Sequence, residues 1–274
     1  MALPQEILDK ILEHISVDRW GRQTLIACTL VATWWTGPSQ RRLLSSVEID
    51  ERNYQRWMDG VVLSGSSTHL LAYIRSLEWR PEGTRYRMRD LEKYSGEYFS
   101  ALRNIRNLTL YNVKVEHISE GGFHTCFSAF RETLTYLSFD TFATSFSAFV
   151  TLVDYFPNIT TLQLRSFVLK PDEGPVPPLS RPLRGKLHIH RVQSNYLEFL
   201  DRFTKLDLEY EELIIDSPYV FMDPKFVERA LRISPSTVKF LRLTAVLHCE
   251  RSLPVFLVDT ARLPEFLVLK PNLQ

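Results

Sequence analysis

Pairs of apolar residues, separated by a single residue, recur along most of this chain. The first members of successive pairs lie 25 to 31 residues apart. Alternation of apolar and polar positions with a period of two is typical of short β-strands that bury one face. The pattern predicts one strand at each of eight pairs: Leu77/Trp79, Leu108/Leu110, Leu137/Phe139, Leu162/Leu164, Leu187/Ile189, Leu213/Ile215, Leu241/Leu243 and Leu267/Leu269.

The segments between the pairs show helical spacing of apolar residues, most clearly at 146–155, 195–203 and 224–233. A connection of this length can cross back as a helix to a parallel neighbouring strand. Because one strand–helix unit cannot bury its apolar face alone, we expect neighbouring units to stack into a common core. The fold class predicted is α/β, with a solenoid of parallel strands and helices over residues 71–274.

The parity of the strands also predicts which side chains leave the core. If the paired apolar residues point inward, the interleaved residues point outward, and most of these are polar or charged. In a stacked array this face is the usual binding surface, and a merely solvated face is the alternative. We hypothesise that a concave target-binding surface is lined by Arg80, Tyr111, Asp140, Arg165, His190, Asp216 and Arg242.

The first 49 residues carry a different pattern, which predicts three short helices. Pro4 suits the first turn of a helix, where the N–H that proline lacks would have no intrahelical partner. Thr24 is placed to cap a second helix, and Gly37-Pro38-Ser39 is expected to end it, so that Gln40 begins a third. The apolar stripe of the first helix consists of Leu3, Ile7, Leu8, Ile11, Leu12 and Ile15.

The second predicted helix is apolar on two faces. A short helix of this kind needs two covering surfaces, one of which is the rest of the module. The other is either a partner protein or more of the same domain around a fully buried helix, and periodicity leaves both interpretations open. One face consists of Leu25, Cys28, Ala32 and Trp35, and the other of Ile26, Leu30 and Trp34.

Three segments of this module, LPQEILDKILEHI, CTLVATWW and RRLLSSVEI, resemble an F-box of the fungal type over residues 3–49. Leu30-Val31 and Trp35 fall on family positions, and Ala32 replaces the common cysteine. The resemblance implies docking on the Skp adaptor, and through it on a cullin. A competing interpretation is that Ile11, Trp35 and others mainly hold the helices together. The adaptor contacts implied are Leu3, Pro4, Ile7, Leu8, Ile11, Leu30, Val31 and Trp35.

The aliphatic-x-x-Leu-x-Leu units of the array resemble leucine-rich repeats. Common members of that family place asparagine three residues after the second strand leucine. We expect turns closed here by apolar packing and backbone hydrogen bonds, and an irregular curved array in place of a regular horseshoe. A non-repetitive α/β domain is the alternative. At the corresponding positions this chain has other residues in place of asparagine: Val113, Phe142, Phe167, Val192, Pro218 and Val246.

Composition adds few functional constraints. With 45% hydrophobic and 24% charged residues the chain can bury a sizeable core. A formal net charge of +1 favours neither nucleic acid nor an anionic membrane as partner. The three cysteines lack metal spacing, and no segment has the character of a signal peptide or a membrane span. We therefore expect a protein of the cytoplasm or nucleus.

Motifs of phosphate loops, dinucleotide-binding turns and nucleophile elbows are absent from the sequence. His188-x-His190 has metal-like spacing, because alternate positions of a strand share a face, and Asp216 is a conceivable third ligand. A closed zinc site needs three or four ligands. We therefore expect no bound metal, no cofactor and no catalytic residue.

These patterns support one leading hypothesis and two alternatives. The leading hypothesis is a substrate-recognition adaptor of a Skp–cullin–F-box ubiquitin ligase, which is not itself an enzyme. It has an F-box at 1–49, a linker with a helix and a turn at 50–70, and a target-binding array at 71–274. The first alternative is an F-box scaffold acting outside the ligase. The second is a metal-dependent enzyme that uses His188 and His190.

Overall fold

The structure is a computed structural model, and the chain in it forms two compact units. The first unit comprises Met1–Val113 with His117–Leu134, and the second comprises Lys114–Glu116 with Thr135–Gln274. The structure describes residues 4–16, 18–62, 64–65, 68–80, 99–112, 120–141, 143–170, 177–191, 196–216, 224–233, 236–244 and 256–259.

Three helices at the start of the first unit pack around a small apolar core. Their bounds are α1 Gln5–Glu13, α2 Arg19–Val31 and α3 Thr33–Leu44. The apolar stripe predicted for α1 supplies two of the buried leucines, because positions four residues apart share a helix face. The buried centre consists of Leu8, Leu12 and Leu25, and Ile15, Cys28, Trp35 and Leu43 lie partly buried around it.

The second helix begins earlier than its sequence pattern suggested. It starts at Arg19 and not after Thr24, because the Asp18 carboxylate accepts a hydrogen bond of 2.8 Å from the Gly21 N–H and caps the first turn. This bond and one from the Ser16 side chain lower the pKa of Asp18 below its ordinary value. A carboxylate at a helix N-terminus is stabilised further by the helix dipole.

The break between α2 and α3 also differs from the prediction. It falls at Ala32, which adopts an extended conformation with φ −162° and ψ 153°. The Gly37-Pro38-Ser39 segment lies inside α3, where Pro38 and Ser39 are buried. The packing of the helix on the rest of the module outweighs the tendency of proline to end a helix.

Three parallel strands follow in the first unit: β1 Ser46–Asp50, β2 Ser76–Arg80 and β3 Asn107–Tyr111. Val47 and Leu77 are register partners, as are Leu77 and Leu108. The sheet thus begins at Ser46, ahead of position 71 where the array was predicted to begin. The reason is that Val47 and Ile49 form a buried pair of the same kind as the later ones.

Helical segments connect these strands. The helix predicted in the linker at 50–70 is present as α4 Glu51–Trp57, continued by a π-helical turn at Met58–Val62. It starts at Glu51 because Asp50 and Asn53 form a capping box. The further helical elements of this unit are α5 Thr68–Leu71, α6 Glu120–Phe127 and a 3-10 turn at Ser128–Phe130.

The second unit is built on five parallel strands in the order β4, β6, β8, β9, β10, with β11 antiparallel to β10. Two short strands, β5 and β7, form a separate parallel pair. The bounds are β4 Tyr136–Asp140, β5 Ala143–Ser145, β6 Thr161–Arg165, β7 Val168–Lys170, β8 Leu183–His190, β9 Leu208–Asp216, β10 Phe240–Thr244 and β11 Phe256–Asp259. The helices are α7 Phe146–Tyr155, α8 Tyr196–Phe203 and α9 Pro224–Leu231, as the helical spacing predicted.

The predicted leucine pairs occupy equivalent positions on these strands. Leu137, Leu162, Leu187, Leu213 and Leu241 are register partners across the five strands, and each is at most 2% exposed. The prediction of a parallel α/β arrangement is confirmed, and seven of the eight apolar pairs lie on strands. The eighth pair, Leu267/Leu269, lies outside the described residues.

A phenylalanine cluster fills the core of the second unit. The ring of Phe149, on α7, lies 5.3 to 6.0 Å from the rings of Phe139, Phe146, Phe167 and Phe203. All five are fully buried. Aromatic pairs at these separations add to the free energy gained from burial alone, so this cluster anchors the helices on the strands.

The strand ends are closed by backbone groups, as expected. Asn112, Thr141, Ser166 and Arg191 each follow a parallel strand with a left-handed backbone, at φ of 47° to 52°. In the second unit the backbone N–H groups of these residues donate hydrogen bonds to carbonyls of the neighbouring strand. The bonds are Thr141 N–H to the Arg165 carbonyl at 3.1 Å, Ser166 N–H to the His190 carbonyl at 2.9 Å and Arg191 N–H to the Asp216 carbonyl at 2.9 Å.

Apolar packing also closes one turn. Phe167, at a position compared above with the repeat asparagine, packs its ring against Phe149 and Phe199 at 5.3 and 5.4 Å. A side chain directed into the core thus replaces a polar one at this turn. The other compared positions, Val113, Phe142, Val192, Pro218 and Val246, lie outside the described residues.

A β-bulge at Gly185 generates the first prediction. Gly185 has φ +94°, and a Cβ there would lie 2.1 Å from the Thr160 carbonyl oxygen. We expect Gly185→Ala to lower the free energy of unfolding by about 2–4 kcal/mol, because both backbone strain and a clash with main chain result. Urea unfolding followed by circular dichroism measures this.

Gly60→Ala is the matched control for this substitution. Gly60 lies in the helical turn Met58–Val62, and beyond its chain neighbours and the backbone of its own helix a Cβ there would meet no atom within 4 Å. Alanine should therefore raise the free energy of unfolding by about 0.5–1 kcal/mol, because glycine loses more backbone entropy on folding. Equal effects of the two substitutions would contradict the role assigned to Gly185.

Candidate functional site

The helical module exposes apolar side chains on each of its helices. Ile7 and Ile11 on α1, like Ile26 and Leu30 on α2, are four residues apart and so share a helix face. A concentration of large exposed apolar side chains on so small a module indicates an interaction surface. The exposed set comprises Leu30, Val31 and Trp20, at 69–82% exposure, and Ile7, Ile11, Ile26 and Trp34, at 36–54%.

Five of the eight side chains that the F-box resemblance implied as adaptor contacts lie at the surface. They are Pro4, Ile7, Ile11, Leu30 and Val31. Leu30 is the most exposed of them, at 82%. Ile11, which the competing interpretation assigned to packing between the helices, is 41% exposed.

The remaining three positions differ from these. Leu8 is fully buried in the core, so its side chain supports the three helices and is not placed to contact a partner. Trp35 is partly buried against the same core, as the competing interpretation expected. Leu3 lies outside the described residues.

The structure separates the two apolar faces predicted for the second helix. Leu25 is buried, and Cys28 and Trp35 pack against the core, so this face is covered by the module itself. Ile26 and Leu30 are 54% and 82% exposed. The interpretation of a fully buried helix is therefore wrong, and the second face is left to the solvent side of the module.

Two arginines of α3 hold the end of α1. The Arg42 guanidinium donates to the backbone carbonyls of Glu13 and Ile15 at 3.2 and 3.3 Å. Arg41 forms an ion pair with Asp9 at 3.2 Å. The last carbonyls of a helix lack intrahelical donors, so these contacts fix α1, and with it Ile7 and Ile11, on the module.

The sheet face of the first unit brings two predicted target-binding residues together. The Arg80 guanidinium forms ion pairs with Glu48 at 3.1 Å and Glu78 at 2.9 Å. It also donates to the Tyr111 hydroxyl at 3.0 Å and lies 4.0 Å from the centre of the Tyr111 ring. The charge of Arg80 is thus balanced within the unit, and its guanidinium is held in one position.

The sheet face of the second unit is less open than strand parity suggested. Among its predicted site residues, Arg165 is exposed and Asp140, His190, Asp216 and Arg242 are half-buried. The middle interleaved position of the strands, expected to point into solvent, is buried at Ser138, Gln163 and Ile214.

A buried glutamine connects several of these side chains. The hydrogen-bond pattern orients the Gln163 amide so that its oxygen accepts from Arg165 Nε at 2.8 Å and from His190 Nε2 at 3.2 Å. Its amide nitrogen donates to the Tyr136 hydroxyl. On the other side of the imidazole, His190 Nδ1 lies 2.6 Å from the Asp216 carboxylate. Four strands therefore contribute to one polar network.

The two histidines face separate carboxylates. His188 Nε2 lies 3.6 Å from Glu212, and Lys186 pairs with the same carboxylate at 2.6 Å. His190 pairs with Asp216. Within the described part of the chain, no group of three or more His, Cys, Asp or Glu side chains is arranged to hold a metal ion.

Sequence reasoning missed Tyr136, Lys186 and Glu212 as parts of this face, and it placed Gln163 among the outward-facing residues without predicting its burial. Gln163 was expected to be one of several solvated residues, and nothing in its own strand shows that it is buried. Strand register carries the missing signal, since Lys186 and Glu212 are register partners, as are Gln163 and His188.

No protein-family model matches this chain. No curated protein matches it. Among solved structures it is similar to the leucine-rich repeat-containing protein LegL7 from Legionella pneumophila, at 11% identity and a TM-score of 0.44, over 72% of this chain and 68% of that one. Similarity at this level does not establish a shared fold, so both family resemblances stay predictions. In the described residues no helix has the length and apolarity needed to cross a membrane.

The division of α1 between core and surface leads to a prediction. Leu8→Ala should lower the free energy of unfolding by about 2–5 kcal/mol, because it leaves a cavity in the core. Ile7→Ala, one residue away and 45% exposed, should change it by about 0.5 kcal/mol or less. Urea unfolding followed by tryptophan fluorescence measures both. A larger effect at Ile7 than at Leu8 would show that the assignment of the two faces is wrong.

The burial of His188 generates a pH prediction. Burial lowers the pKa of this imidazole below its ordinary value of 6.5, although the nearby Glu212 carboxylate opposes the shift. As the pH falls through 6.5 the unfolded chain therefore gains a proton that the folded chain resists, and the free energy of unfolding decreases. Replacement His188→Gln should remove this contribution.

Unfolding at a series of pH values between 7.5 and about 5 tests the prediction, since an unperturbed imidazole titrates within this window. The stability of the wild type relative to His188→Gln should decrease as the pH is lowered. Taking the difference removes the contributions of the histidines that do not interact with His188. A constant difference across the window would contradict the proposed effect of burial.

Proposed function

We propose that this chain is a substrate-recognition adaptor of a Skp–cullin–F-box ubiquitin ligase. In this proposal the helical module docks on the Skp adaptor, and the strand–helix array binds a protein target. The observation that carries it is the exposure of Ile7, Ile11, Leu30 and Val31, which are aliphatic side chains at positions where the F-box resemblance implies adaptor contacts.

The energetics of these side chains support a partner surface. Fully burying a leucine or isoleucine side chain contributes about 1.5–3 kcal/mol. Leu30 and Val31 realise little of this in the chain alone, because they are 82% and 69% exposed. Exposed aliphatic anchors on a rigid helical support are what protein interfaces use at their energetic centres. The Arg42 contacts with the end of α1 supply that rigidity.

The array contributes a polar sheet face in this proposal. Its role is positional: binding a target beside the ligase raises the effective concentration of the target near the ubiquitin-charged enzyme. The chain itself carries out no chemical step. The face of the second unit, with Arg165 exposed and a network of half-buried polar side chains around the buried Gln163, is the candidate for target recognition.

The two alternatives differ in what supports them. An F-box scaffold acting outside the ligase uses the same exposed module and differs only in whether a cullin joins the complex. A metal-dependent enzyme would rely on His188 and His190, and these side chains face different carboxylates, Glu212 and Asp216. No observation favours the enzyme over the adaptor.

Adaptor binding tests the proposal through exposed positions. We expect the double variant Ile7→Asp/Leu30→Asp to lose binding to purified Skp adaptor by about 100-fold or more, because two charges would enter an apolar interface. Both positions are exposed, so the free energy of unfolding should change by roughly 0.5 kcal/mol or less at each. Titration calorimetry on the full chain measures the affinity.

The matched control is Trp20→Asp. Trp20 is 74% exposed on α2, but it lies outside the implied contact positions. This variant should bind the Skp adaptor as the wild type does. The absence of adaptor binding by a folded wild type would sink the proposal. If the adaptor binds but a cullin does not join the complex, the scaffold alternative is correct instead.

A further inference from the structure

We propose that Arg165 and Arg242, on the sheet face of the second unit, bind two carboxylates of an extended acidic segment of the target protein. This inference rests on the proposed target-binding role of the array and names the chemistry of the target. It follows from charge balance, from the support of the guanidinium groups and from the spacing of the strands.

The acidic side chains of this face are largely engaged with its other bases. Glu212 pairs with Lys186 at 2.6 Å, and Asp216 lies 2.6 Å from His190. In the described part of the chain, by contrast, neither Arg165 nor Arg242 has a carboxylate within 4.0 Å. Two guanidinium groups on one face therefore have no carboxylate of the described residues in contact with them.

The third carboxylate on the face does not change this. Asp140 is the register partner of Arg165, but its side chain is hydrogen-bonded to the Thr141 hydroxyl and forms no ion pair with Arg165. The Arg165 guanidinium turns to the neutral Gln163 oxygen instead. Because this acceptor is neutral, the positive charge of Arg165 is not compensated and remains available to attract a ligand.

Arg242 carries a second indication of a ligand. It is half-buried, and its Nε is inaccessible to solvent without a hydrogen-bond partner among the described residues. A buried donor without an acceptor is unfavourable, and the unfavourable term is larger for a charged group. Its register partner on β9 is the buried Ile214, whose side chain offers no hydrogen-bond acceptor. Because this Nε is inaccessible, a bound carboxylate would contact the guanidinium through its Nη groups, which are not among the buried atoms without a partner.

Arg165 is positioned in advance for such a ligand. The Gln163 oxygen accepts from both Nε and Nη2 of Arg165, at 2.8 and 3.1 Å, and Gln163 is itself 7% exposed and held by the network below. This arrangement uses one edge of the planar guanidinium and leaves the other directed away from the glutamine. A guanidinium fixed in this way loses little conformational entropy when it forms paired bonds to a carboxylate.

The spacing of the two arginines fits an extended chain. Arg165 on β6 and Arg242 on β10 are separated by β8 and β9. Three strand spacings span roughly 14 Å, and the register sets Arg242 level with Gln163, two residues or about 7 Å along the strands from Arg165. The two backbone positions are therefore roughly 16 Å apart. Four residues of an extended chain that crosses the strands obliquely cover about 13 Å, and positions i and i+4 point to the same side, so the side chains of acidic residues four apart span the remaining distance to both arginines.

The charge of the face favours a protein segment over a nucleic acid. Lys186, Arg165 and Arg242 are balanced in number by Asp140, Glu212 and Asp216. A phosphate backbone would meet these carboxylates along its length and gain little. A short segment with two acidic residues places its carboxylates at the two arginines and needs no charge over the strands between them.

A displayed peptide library tests the inference. Random decapeptides on phage are selected on the purified full chain, and the selected sequences are compared with the input. We expect enrichment of acidic residues separated by four positions. The best peptide should lose about tenfold or more in affinity for Arg165→Gln/Arg242→Gln, and its binding should weaken as salt is added.

The matched control removes two arginines that are already paired. Arg184 and Arg232, in the same unit, form ion pairs with Glu209 at 2.6 Å and Glu228 at 2.5 Å. Arg184→Gln/Arg232→Gln changes the net charge by the same amount and should retain peptide binding. Selection without acidic pairs, or equal loss in both double variants, would overturn the inference.

Two further measurements keep the test decisive. If Arg165→Gln/Arg242→Gln fails to fold, the selected peptide is compared with its Glu→Gln form on the wild-type chain, and equal affinity overturns the inference. Binding of the Skp adaptor, which the proposal assigns to the helical module, is measured separately. A chain that binds the adaptor but selects no acidic peptides refutes only this inference, whereas acidic selection without adaptor binding refutes only the proposed ligase role.

Discussion

Burial of two apolar side chains per strand, at equivalent register positions within each unit, is the constraint on which the remaining architecture depends. A shift by one residue would send each of these side chains to the opposite face of its strand. The five register-matched leucines of the second unit are buried almost completely. The helices follow from this, because α7 can place Phe149 among neighbouring rings only if the strands present their apolar sides consistently.

The same constraint determines the chemistry of the opposite face. Once the leucines fix the register, the interleaved residues of adjacent strands become neighbours whatever their polarity. Gln163 is thereby placed beside Arg165 and His190, and the network they form is an outcome of register as much as of local sequence. A sheet face produced in this way holds its side chains in place, because they are carried by strands and not by loops.

The period-two pattern of apolar residues predicted the strands, and helical spacing predicted the helices between them. The residues that usually mark the ends of helices were less informative. Thr24 and Gly37 are reasonable boundary residues by composition, but Asp18 supplied the stronger cap and tertiary packing kept α3 continuous through Pro38. Burial of polar residues on the sheet face could not be predicted from a single strand, because it depends on side chains contributed by the neighbouring strands.

The left-handed residues that end the strands have a consequence for how such a chain can change. At Thr141, Ser166 and Arg191 the turn is closed by main-chain N–H groups, which every residue except proline possesses. Side-chain identity at these turns is therefore only weakly constrained by the hydrogen bonds that hold them. Successive strand–helix repeats can diverge in sequence, and their connections can vary in length, while the strands remain aligned. A chain of this kind keeps its shape long after its repeats have ceased to resemble one another.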